Sequence, residues 1–231
     1  MKAKKNILII GASGHAKVII DILEKENLYN VFGFIDTYKP KGKSIYGYEI
    51  LGTEKDIPKI MFENDIYGGI IAIGDNWVRK IVSDKVIELN NEFKFITTIH
   101  PDAIIGNDVQ IGEGVVIMPG VIINSKAVIG KHCILNTKSF LGCCSKIYDY
   151  SSLGPSSLVD YDVVVKNNSA ISLGVNIVNN IIIGENSVIG AGSLVLKNIA
   201  NNKIAFGIPA IEIRDRFVGE KYLSGEGSVN N

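Results

Sequence analysis

Residues 128–154 read VIGKHCILNTKSFLGCCSKIYDYSSLG. Every sixth residue in this stretch is aliphatic, namely Ile129, Leu135, Leu141, Ile147 and Leu153. The register continues on both sides and gives sixteen consecutive aliphatic positions from Ile105 to Val195. A helix repeats every 3.6 residues and a strand every two, so neither produces this ladder. A period of six is typical of hexapeptide repeats that wind into a parallel β-helix. The ladder therefore predicts the fold of residues 98–212.

The same register predicts how each coil is built. Three hexapeptides form one triangular coil, so we expect roughly five coils of a left-handed parallel β-helix with the ladder pointing inward. Small residues follow four positions after most ladder residues, where a corner has little room: Ala127, Cys133, Ser139, Ser145, Ser151, Ser157, Ser169, Ser187 and Ser193. The residue directly after a ladder residue is often glycine, and we expect these glycines to supply turn conformations that other residues resist: Gly106, Gly112, Gly130, Gly142, Gly154, Gly184 and Gly190. The flat outer faces favour association as a homotrimer.

Residues 1–97 lack the repeat and are predicted to form a small Rossmann-like α/β domain. Residues 6–10 read as a buried parallel strand, and an apolar helical pattern begins near residue 18. The sequence between them, Gly11 to Lys17, contains two glycines and would leave backbone N–H groups and a helix N-terminus free to bind phosphate. Its spacing differs from the G-x-G-x-x-G of dinucleotide-binding proteins, and a tight turn without a ligand remains an alternative.

Two other loops are predicted at the same edge of the sheet. Asp36 ends a second strand, where a carboxylate can accept hydrogen bonds from a ribose hydroxyl or a base N–H. A third strand ends at Gly74. Open α/β sheets bind ligands at the carboxyl ends of their strands, so these loops predict one crevice for a nucleotide. Its candidate residues are Gly11, Ser13, Gly14, His15, Asp36, Gly74, Asp75 and Asn76.

Composition excludes several classes of protein. The chain has 24 Lys and Arg residues and 24 Asp and Glu residues, so it lacks the basic surface of a nucleic-acid binder. No apolar run is long enough for a transmembrane helix, and a cytoplasmic protein without membrane contact is expected. The cysteines Cys133, Cys143 and Cys144 lack metal-ligand spacing, so we expect reduced thiols and no metal. Residues 213–231 are polar and glycine-rich and are expected to form a flexible tail.

The motifs, taken in order, resemble a known family. The glycine motif at residues 11–15, the segments 34–36 and 72–76, the hexapeptide repeats and the closing segment 207–210 are similar to the sialic-acid O-acetyltransferase and bacillosamine N-acetyltransferase family of hexapeptide-repeat sugar acyltransferases. This resemblance implies that the first domain binds a nucleotide-linked amino sugar and that coenzyme A lies along the β-helix between subunits. The coenzyme A contacts that it implies are Gly154, Ser172, Gly174, Gly192, Lys197 and Pro209. For Lys197, a solvated side chain is an equal alternative.

The chain departs from this family at its expected catalytic residues. The family's Asn-Thr pair is present at Asn136, but the register puts Gly142 and Cys143 where the family has an acid and a histidine. Ser152 stands where it has a second histidine. The three histidines of the chain fall elsewhere in the register and are expected to be structural or solvent-facing: His15, His100 and His132. The usual general base is therefore expected to be missing.

This loss favours an amine as the acyl acceptor. A sugar hydroxyl needs its proton removed as it attacks a thioester, whereas a neutral amine attacks with its own lone pair. We therefore predict N-acyl transfer from coenzyme A to a nucleotide-linked 4-amino-4,6-dideoxyhexose, with dTDP preferred over UDP by family analogy. Asn136 and backbone N–H groups would stabilise the oxyanion. The small residues Gly142, Cys143 and Ser152 suggest an acyl group larger than acetyl, as in an anthrose-type N-acyltransferase.

Other interpretations of these residues stay open. Cys143 could form an acyl-enzyme, although no base is apparent beside it, or it could simply fill space. The missing histidine also fits a pseudoenzyme that binds a sugar nucleotide as a regulator or scaffold. A nicotinamide-dependent enzyme is disfavoured by the glycine spacing.

Overall fold

The computed structural model describes residues 4–222. The first domain contains five strands: β1 Lys5–Ile10, β2 Tyr29–Ile35, β3 Ser44–Ile45, β4 Tyr48–Gly52 and β5 Ile66–Ile71. Its helices are α1 Gly14–Glu26, the 3-10 helix η1 Glu54–Asp56, α2 Ile57–Asn64 and α3 Asn76–Leu89. The strand order is β3-β4-β2-β1-β5, and only β3 runs antiparallel to its neighbour. The predicted Rossmann-like domain is confirmed.

The central strand of this domain is buried on both faces. Residues 7–10 of β1 are at most 1% exposed, which explains their continuous apolar run. The strand turns directly into α1 at Gly11, where φ is +95° and a Cβ atom would lie 2.9 Å from Ile73 Cγ1. Glycine is therefore required for both backbone conformation and close approach at this turn. It brings the N-terminus of α1 to the carboxyl edge of the sheet.

The second domain is the predicted parallel β-helix. Its two-residue strands are β6 Thr98–Ile99, β7 Ile104–Ile105, β8 Gln110–Ile111, β9 Val116–Ile117, β10 Ile122–Ile123, β11 Val128–Ile129, β12 Ile134–Leu135, β13 Phe140–Leu141, β14 Lys146–Ile147, β15 Ser152–Leu153, β16 Leu158–Val159, β17 Val164–Val165, β18 Ala170–Ile171, β19 Asn176–Ile177, β20 Ile182–Ile183, β21 Val188–Ile189 and β22 Leu194–Val195. A hairpin of β23 Lys203–Gly207 and β24 Ala210–Asp215 extends one sheet.

The strands form three parallel faces. Face 1 contains β6, β9, β12, β15, β18 and β21, face 2 runs from β7 to β22, and face 3 runs from β8 to β20. Leu135 pairs with Leu153, three hexapeptides later, and this spacing repeats along the prism. The ladder residues from Ile117 to Val195 are at most 2% exposed. The inward orientation of the ladder is confirmed.

Three sets of corners join these faces. The first corner follows face 1 at residues 136–139 and 154–157, the second follows face 2 at 142–145, and the third follows face 3 at 148–151. The predicted small residues are buried in these corners. Ser151 illustrates their role, because its Oγ donates to the Lys166 carbonyl at 2.7 Å and accepts from the Ser169 amide at 3.1 Å. Such hydroxyls join neighbouring coils and satisfy buried polar groups, although the buried Ser139 hydroxyl has no partner among residues 4–222.

The expectation that the recurrent glycines supply unusual turn conformations is wrong. The left-handed position of each corner lies two residues later and is usually occupied by another residue, such as Lys126, His132 or Lys138, with φ between 54° and 60°. The glycines are needed for close stacking instead. A Cβ atom on Gly142 would lie 2.4 Å from the carbonyl carbon of Asp160 in the next coil.

The two domains pack together through α1 and α3. The Glu26 carboxylate at the end of α1 accepts hydrogen bonds from the Ile99 amide, at 2.9 Å, and from the Thr98 hydroxyl. Arg79 of α3 is completely buried and donates to the carbonyls of His132, at 2.8 Å, and Tyr150, at 3.1 Å. These bonds hold the carboxyl edge of the first sheet against face 1.

The chain continues in an ordered form beyond residue 212, contrary to the expected flexible tail. Strand β24 ends at Asp215, and the buried Arg216 donates to the Asn186 side chain at 2.7 Å. Residues 223–231 of the expected tail lie outside the described part. Among the helices of residues 4–222, none combines the length and apolar character needed to span a bilayer.

Candidate functional site

A first cavity, which we call the nucleotide cavity, lies at the carboxyl edge of the first sheet. Its volume is about 650 Å³. It brings together four of the residues predicted to bind a nucleotide: Gly11, Ser13, Asp36 and Gly74. These residues follow β1, β2 and β5, as parallel strand order requires. The predicted convergence of the three loops thus occurs in the structure.

Asp36 braces the glycine turn. Its Oδ2 accepts a hydrogen bond from the Ala12 amide at 2.8 Å, and its Oδ1 accepts from the amides of Tyr38 and Lys39. Lys39 Nζ lies 3.8 Å from Asp36 Oδ2 and donates to the Ala12 carbonyl at 2.7 Å. The carboxylate thus already accepts hydrogen bonds from backbone donors, and these bonds fix the shape of the turn after β1.

The opposite wall of the nucleotide cavity carries an ion pair in which the carboxylate is buried and the lysine is partly exposed. Lys85 Nζ lies 3.0 Å from Glu54 Oε2, and the Thr37 hydroxyl donates to the same carboxylate. Burial alone would raise the pKa of Glu54, but the hydrogen bonds from Thr37 and Lys85 outweigh it and lower that pKa. Glu54 therefore stays ionised and paired with Lys85, as Asp36 is paired with Lys39.

A second cavity, which we call the junction cavity, lies between the first domain and the β-helix. Its volume is about 900 Å³. Gly74 lines both cavities, so they meet at this residue. The polar lining of the junction cavity comes from both domains and comprises His15, Asn136, Ser152, Ser172 and Tyr222. The apolar lining includes Ile134, Ile171, Leu173 and Val188. The first corner of the β-helix forms the floor of this cavity.

The polar groups of the junction cavity are ordered by a few contacts. The Tyr222 hydroxyl lies 3.3 Å from Ser152 Oγ and donates to the Gly74 carbonyl at 3.4 Å. Asn136 Nδ2 donates to the Leu153 carbonyl at 2.8 Å. Burial raises the pKa of Tyr222 despite the opposing charge of Arg79, so the phenol stays protonated.

The His15 side chain lines the junction cavity, so it does not simply face solvent, whereas its expected structural role stays a prediction. Its Nε2 atom is buried and has no hydrogen-bond partner among residues 4–222. Burial and the positive charge of Arg79 lower the pKa of His15 to about 4. The ring is consequently neutral at physiological pH.

Other predicted site residues lie away from both cavities. Cys143 occupies the second corner, with its Sγ 3.8 Å from Ser125 Oγ and 3.3 Å from Cys144 Sγ. It does not line the cavity that Asn136 and Ser152 share. Gly142 is packed against the next coil rather than facing open space. The separation has a geometric reason, because residues on one corner repeat every three hexapeptides and Cys143 falls one corner later.

Asp75 and Asn76 serve α3 and the domain junction. Asp75 Oδ1 caps the helix by accepting from the Val78 amide at 3.0 Å. Asn76 is completely buried, and its Nδ2 donates to the Ser169 carbonyl at 3.0 Å. Neither residue lines the nucleotide cavity, and Gly14, the first residue of α1, does not line it either.

The predicted coenzyme A residues are divided between several places. Gly154 and Ser172 line the junction cavity. Gly174 and Gly192 occupy left-handed positions on the same first corner, with φ of 64° and 71° and open space around them. Lys197 is exposed beyond β22, outside that corner, and Pro209 is exposed in the β23–β24 hairpin. Gly174 and Gly192 thus lie on the corner that borders the junction cavity, whereas Lys197 lies elsewhere.

Sequence reasoning missed Tyr222 and Arg79. Tyr222 lies in a polar segment without a periodic pattern, and only the folded chain brings it to Ser152. Arg79 lies three residues after Asn76 on α3, and its burial could not be read from helical periodicity. Among residues 4–222, no group of three or more His, Cys, Asp or Glu side chains is arranged to hold a metal ion.

Known families match both domains. The PglD N-terminal domain matches residues 6–86, and the bacterial transferase hexapeptide domain of six repeats matches residues 108–143. These matches confirm the resemblance to hexapeptide-repeat sugar acyltransferases that is seen in the motifs. The order of the two matched domains agrees with a Rossmann-like domain followed by a β-helix.

Relatives within the sugar acyltransferase family are similar over different lengths. The UDP-N-acetylbacillosamine N-acetyltransferase of Bacillus subtilis (strain 168) is 36% identical over 116 residues, which are 47% of this chain and 49% of that protein. The chain thus spans about half the length of this curated relative. A variant of perosamine N-acetyltransferase from Caulobacter crescentus, solved with CoA and GDP-perosamine, matches with a TM-score of 0.86 and 29% identity, covering 92% of this chain and 99% of that one.

A second structure shares the fold alone. AntD, an N-acyltransferase from Bacillus cereus solved as a variant with dTDP and coenzyme A, has a TM-score of 0.50 and 21% identity. The match covers 58% of this chain and 89% of that one.

Proposed function

We propose that the protein transfers an acyl group from coenzyme A to the amine of a nucleotide-linked amino sugar. The single observation that carries this proposal is the meeting of two cavities at Gly74. One cavity has the loops of a nucleotide site and the other has the polar corner of the β-helix. The Caulobacter crescentus relative, which binds CoA and GDP-perosamine, supports the same pairing of substrates.

The nucleotide would lie in the nucleotide cavity with its diphosphate at the N-terminus of α1. The amides of Gly11 and Ala12 are already bonded to Ile35 and Asp36, so the backbone N–H groups for an anion would come from the first turn of α1, where the helix dipole also favours it. Lys39 and Lys85 line the walls, each paired with a carboxylate. The sugar would then pass Gly74 and enter the junction cavity.

Coenzyme A would approach along the first corner of the β-helix. A Cβ atom added to Gly174 or Gly192 would meet nothing within 4 Å, so the surface at these positions can admit a pantetheine arm. The thioester would then reach Gly154 and Asn136 at the cavity. Asn136 Nδ2 has a second hydrogen available to stabilise an oxyanion.

The finer details of the substrates stay predictions. We propose a 4-amino-4,6-dideoxyhexose linked to dTDP and an acyl group larger than acetyl. Gly142 no longer supports the larger acyl group, since it packs against Asp160. The replacement of a histidine by Ser152 still does, although the Tyr222 hydroxyl lies 3.3 Å from it.

We also propose a homotrimer associated through face 2. Its outward side chains form a row that is apolar except for Asn176: Ile104, Ile122, Phe140, Leu158, Asn176 and Leu194. A monomer seldom exposes such a row, and a second copy of the prism would cover it. The corner that carries Cys143 borders the same face, so a second copy could bring its thiol towards the junction cavity. Light scattering should give three times the chain mass, whereas a single chain mass would contradict the assembly.

Mass spectrometry of the reaction products tests the activity. Acetyl- and hydroxyacyl-coenzyme A should each be mixed with dTDP-, UDP- and GDP-linked 4-amino-4,6-dideoxyhexoses. At least one pair should give an N-acyl sugar and free coenzyme A, while the matching sugar with a hydroxyl in place of the amine should not react. If no pair reacts, and calorimetry detects the nucleotide sugar but not coenzyme A, the protein is a binding pseudoenzyme instead.

The variant Cys143→Ala separates direct transfer from an acyl-enzyme. Direct transfer should keep kcat within about threefold of the wild type, because Cys143 lies outside the junction cavity of its own chain. An acyl-enzyme would lose nearly all turnover. Ser125→Ala is the matched control, since it removes a hydroxyl that lies 3.8 Å from the Cys143 thiol and leaves the thiol in place.

A further inference from the structure

His15 combines three properties that the cavity residues do not otherwise share. It is a nitrogen base, its side chain lines the junction cavity, and its Nε2 atom, which is buried beside that cavity, has no partner among residues 4–222. We propose that the His15 imidazole accepts the proton of the substrate amine and so takes the role of the missing general base. This inference rests on the proposed function and assigns a residue to its proton transfer.

The unpaired nitrogen indicates a site for a ligand. Buried polar atoms in proteins are nearly always hydrogen-bonded, so a buried Nε2 without a partner needs an explanation. A donor that arrives with the substrate supplies one. An amine N–H that enters the junction cavity beside Asn136 and Ser152 could donate to this atom.

The position of His15 along the chain also fits this role. It lies in the first turn of α1, directly after the turn that would hold the diphosphate. A sugar attached to that diphosphate would extend from the turn next to the His15 imidazole. Gly74, which joins the two cavities, marks the path of the sugar.

The electrostatics keep the His15 ring unprotonated in the free protein. Burial and Arg79 hold its pKa near 4, so the free protein presents a neutral ring. A bound diphosphate brings negative charge to the same helix end and raises the basicity of the ring when the substrate is present. The phenol of Tyr222 stays protonated and cannot compete as a base.

The other described residues that line the junction cavity lack a basic nitrogen. They contribute hydroxyls, an amide and apolar groups. His132 is also neutral, but it lies behind the cavity, stacked on Tyr150 and 3.1 Å from Ser83 Oγ. His15 is thus the base that the geometry makes available.

The proposed step balances in atoms and charge. The amine lone pair forms a bond to the thioester carbonyl carbon, and Nε2 of His15 takes the amine proton. The C–S bond then breaks, and coenzyme A leaves with the electron pair as a thiolate. The imidazolium returns the proton to this thiolate, which yields the amide and free coenzyme A thiol.

The test compares His15→Ala and His15→Gln with the wild type at saturating substrates. Both variants should lose about 10²–10⁴-fold in kcat, the usual contribution of a positioned base. The dissociation constant of the amino-sugar nucleotide, measured by calorimetry, should change by less than about threefold. Added imidazole should restore part of the activity of His15→Ala. Melting curves check that each variant is folded.

His100→Gln is the matched control. His100 is also buried, with its Nε2 3.3 Å from Lys25 Nζ, but it lies outside both cavities, so kcat should not change. The proposal is overturned if His15→Ala keeps kcat within about threefold, or if its loss follows substrate affinity and imidazole does not rescue it.

Failure of the proposed function would be seen separately, as a wild type that binds the sugar nucleotide without turnover. In that case ¹⁵N spectra of the histidine rings decide the inference. A His15 shift on adding the amino-sugar nucleotide, absent with the hydroxyl sugar, supports contact with the amine, and an unchanged His15 signal overturns it.

Discussion

At the residue scale, Arg79 controls the charge of the domain junction. Its guanidinium also donates to the carbonyls of Ile73 and Gly74, each at 3.0 Å, and to the Asn76 side chain at 2.7 Å. These acceptors compensate a buried cation that has no direct carboxylate partner. Burial and, after it, the same charge lower the pKa values of His15 and His132. A structural residue thus helps to keep both rings neutral.

The buried histidines predict a loss of stability in mild acid. Burial, with Arg79, lowers the pKa of His132 from 6.5 to about 4, so the unfolded state binds its proton more readily than the folded state. The stabilising effect is therefore complete above pH 6.5 and is lost as the pH falls from 6.5 to 4. For one such ring the loss in the free energy of unfolding amounts to about 3 kcal/mol.

His132→Asn tests this prediction, since asparagine tolerates the left-handed φ of 54° at that position. The variant should be less stable at pH 7, because it loses packing against Phe95 and Tyr150. Between pH 6.5 and 4, however, its free energy of unfolding in urea should fall less steeply than that of the wild type. Parallel pH curves for the two proteins would contradict the assignment.

At the element scale, residues 215–222 form a C-terminal strap that closes one side of the junction cavity. Glu220 pairs with Arg214 at 2.5 Å, and Arg216 donates to the Glu220 carbonyl at 2.7 Å. A Cβ atom on Gly219 would lie 3.0 Å from Trp77 Nε1, so the strap lies against the indole. These contacts direct Tyr222 towards Ser152.

Glu220→Gln should release this strap at neutral pH. The hydrogen bonds from Arg214 and Phe217 lower the pKa of Glu220 to about 2, which shows that the charged form is preferred in the folded chain. Its stabilising effect is complete above pH 4.5 and is lost as the pH falls from 4.5 through 2. The glutamine cannot form the ion pair at any pH.

The single tryptophan, Trp77, reports the position of the strap. Its emission should shift to the red in Glu220→Gln at pH 7, where the wild type is closed. Glu63→Gln is the control, because it removes an exposed pair with Lys59, 3.9 Å apart, on α2. Identical emission in all three proteins would show that the ion pair does not hold the strap.

At the scale of the whole molecule, the sequence predicted the fold better than the site. The ladder specified the β-helix because one buried residue per face is a strict spatial requirement, and the strand–turn–helix at Gly11 specified the nucleotide cavity. The register also carried information about the corners. Asn136 and Gly154 are three hexapeptides apart and share a corner, whereas Cys143 is on the next one.

The contacts between the domains could not be predicted in this way. Which face of the β-helix meets the first domain depends on Arg79 and Asn76, whose partners are distant carbonyl groups with no sequence signature. For that reason His15 could not be placed beside Asn136, and Tyr222 could not be placed beside Ser152. Solitary long-range polar contacts leave no periodic pattern in a sequence.

The central claim is that the nucleotide cavity and the junction cavity form one active site. A crystal structure with coenzyme A and an amino-sugar nucleotide tests it most directly. We expect the diphosphate at the N-terminus of α1, the sugar amine about 3 Å from His15 Nε2 and the coenzyme A sulfur beside Asn136 and Ser152. A nucleotide bound outside the cavity of Gly11 and Asp36, or an amine that points away from the junction cavity, would contradict the account.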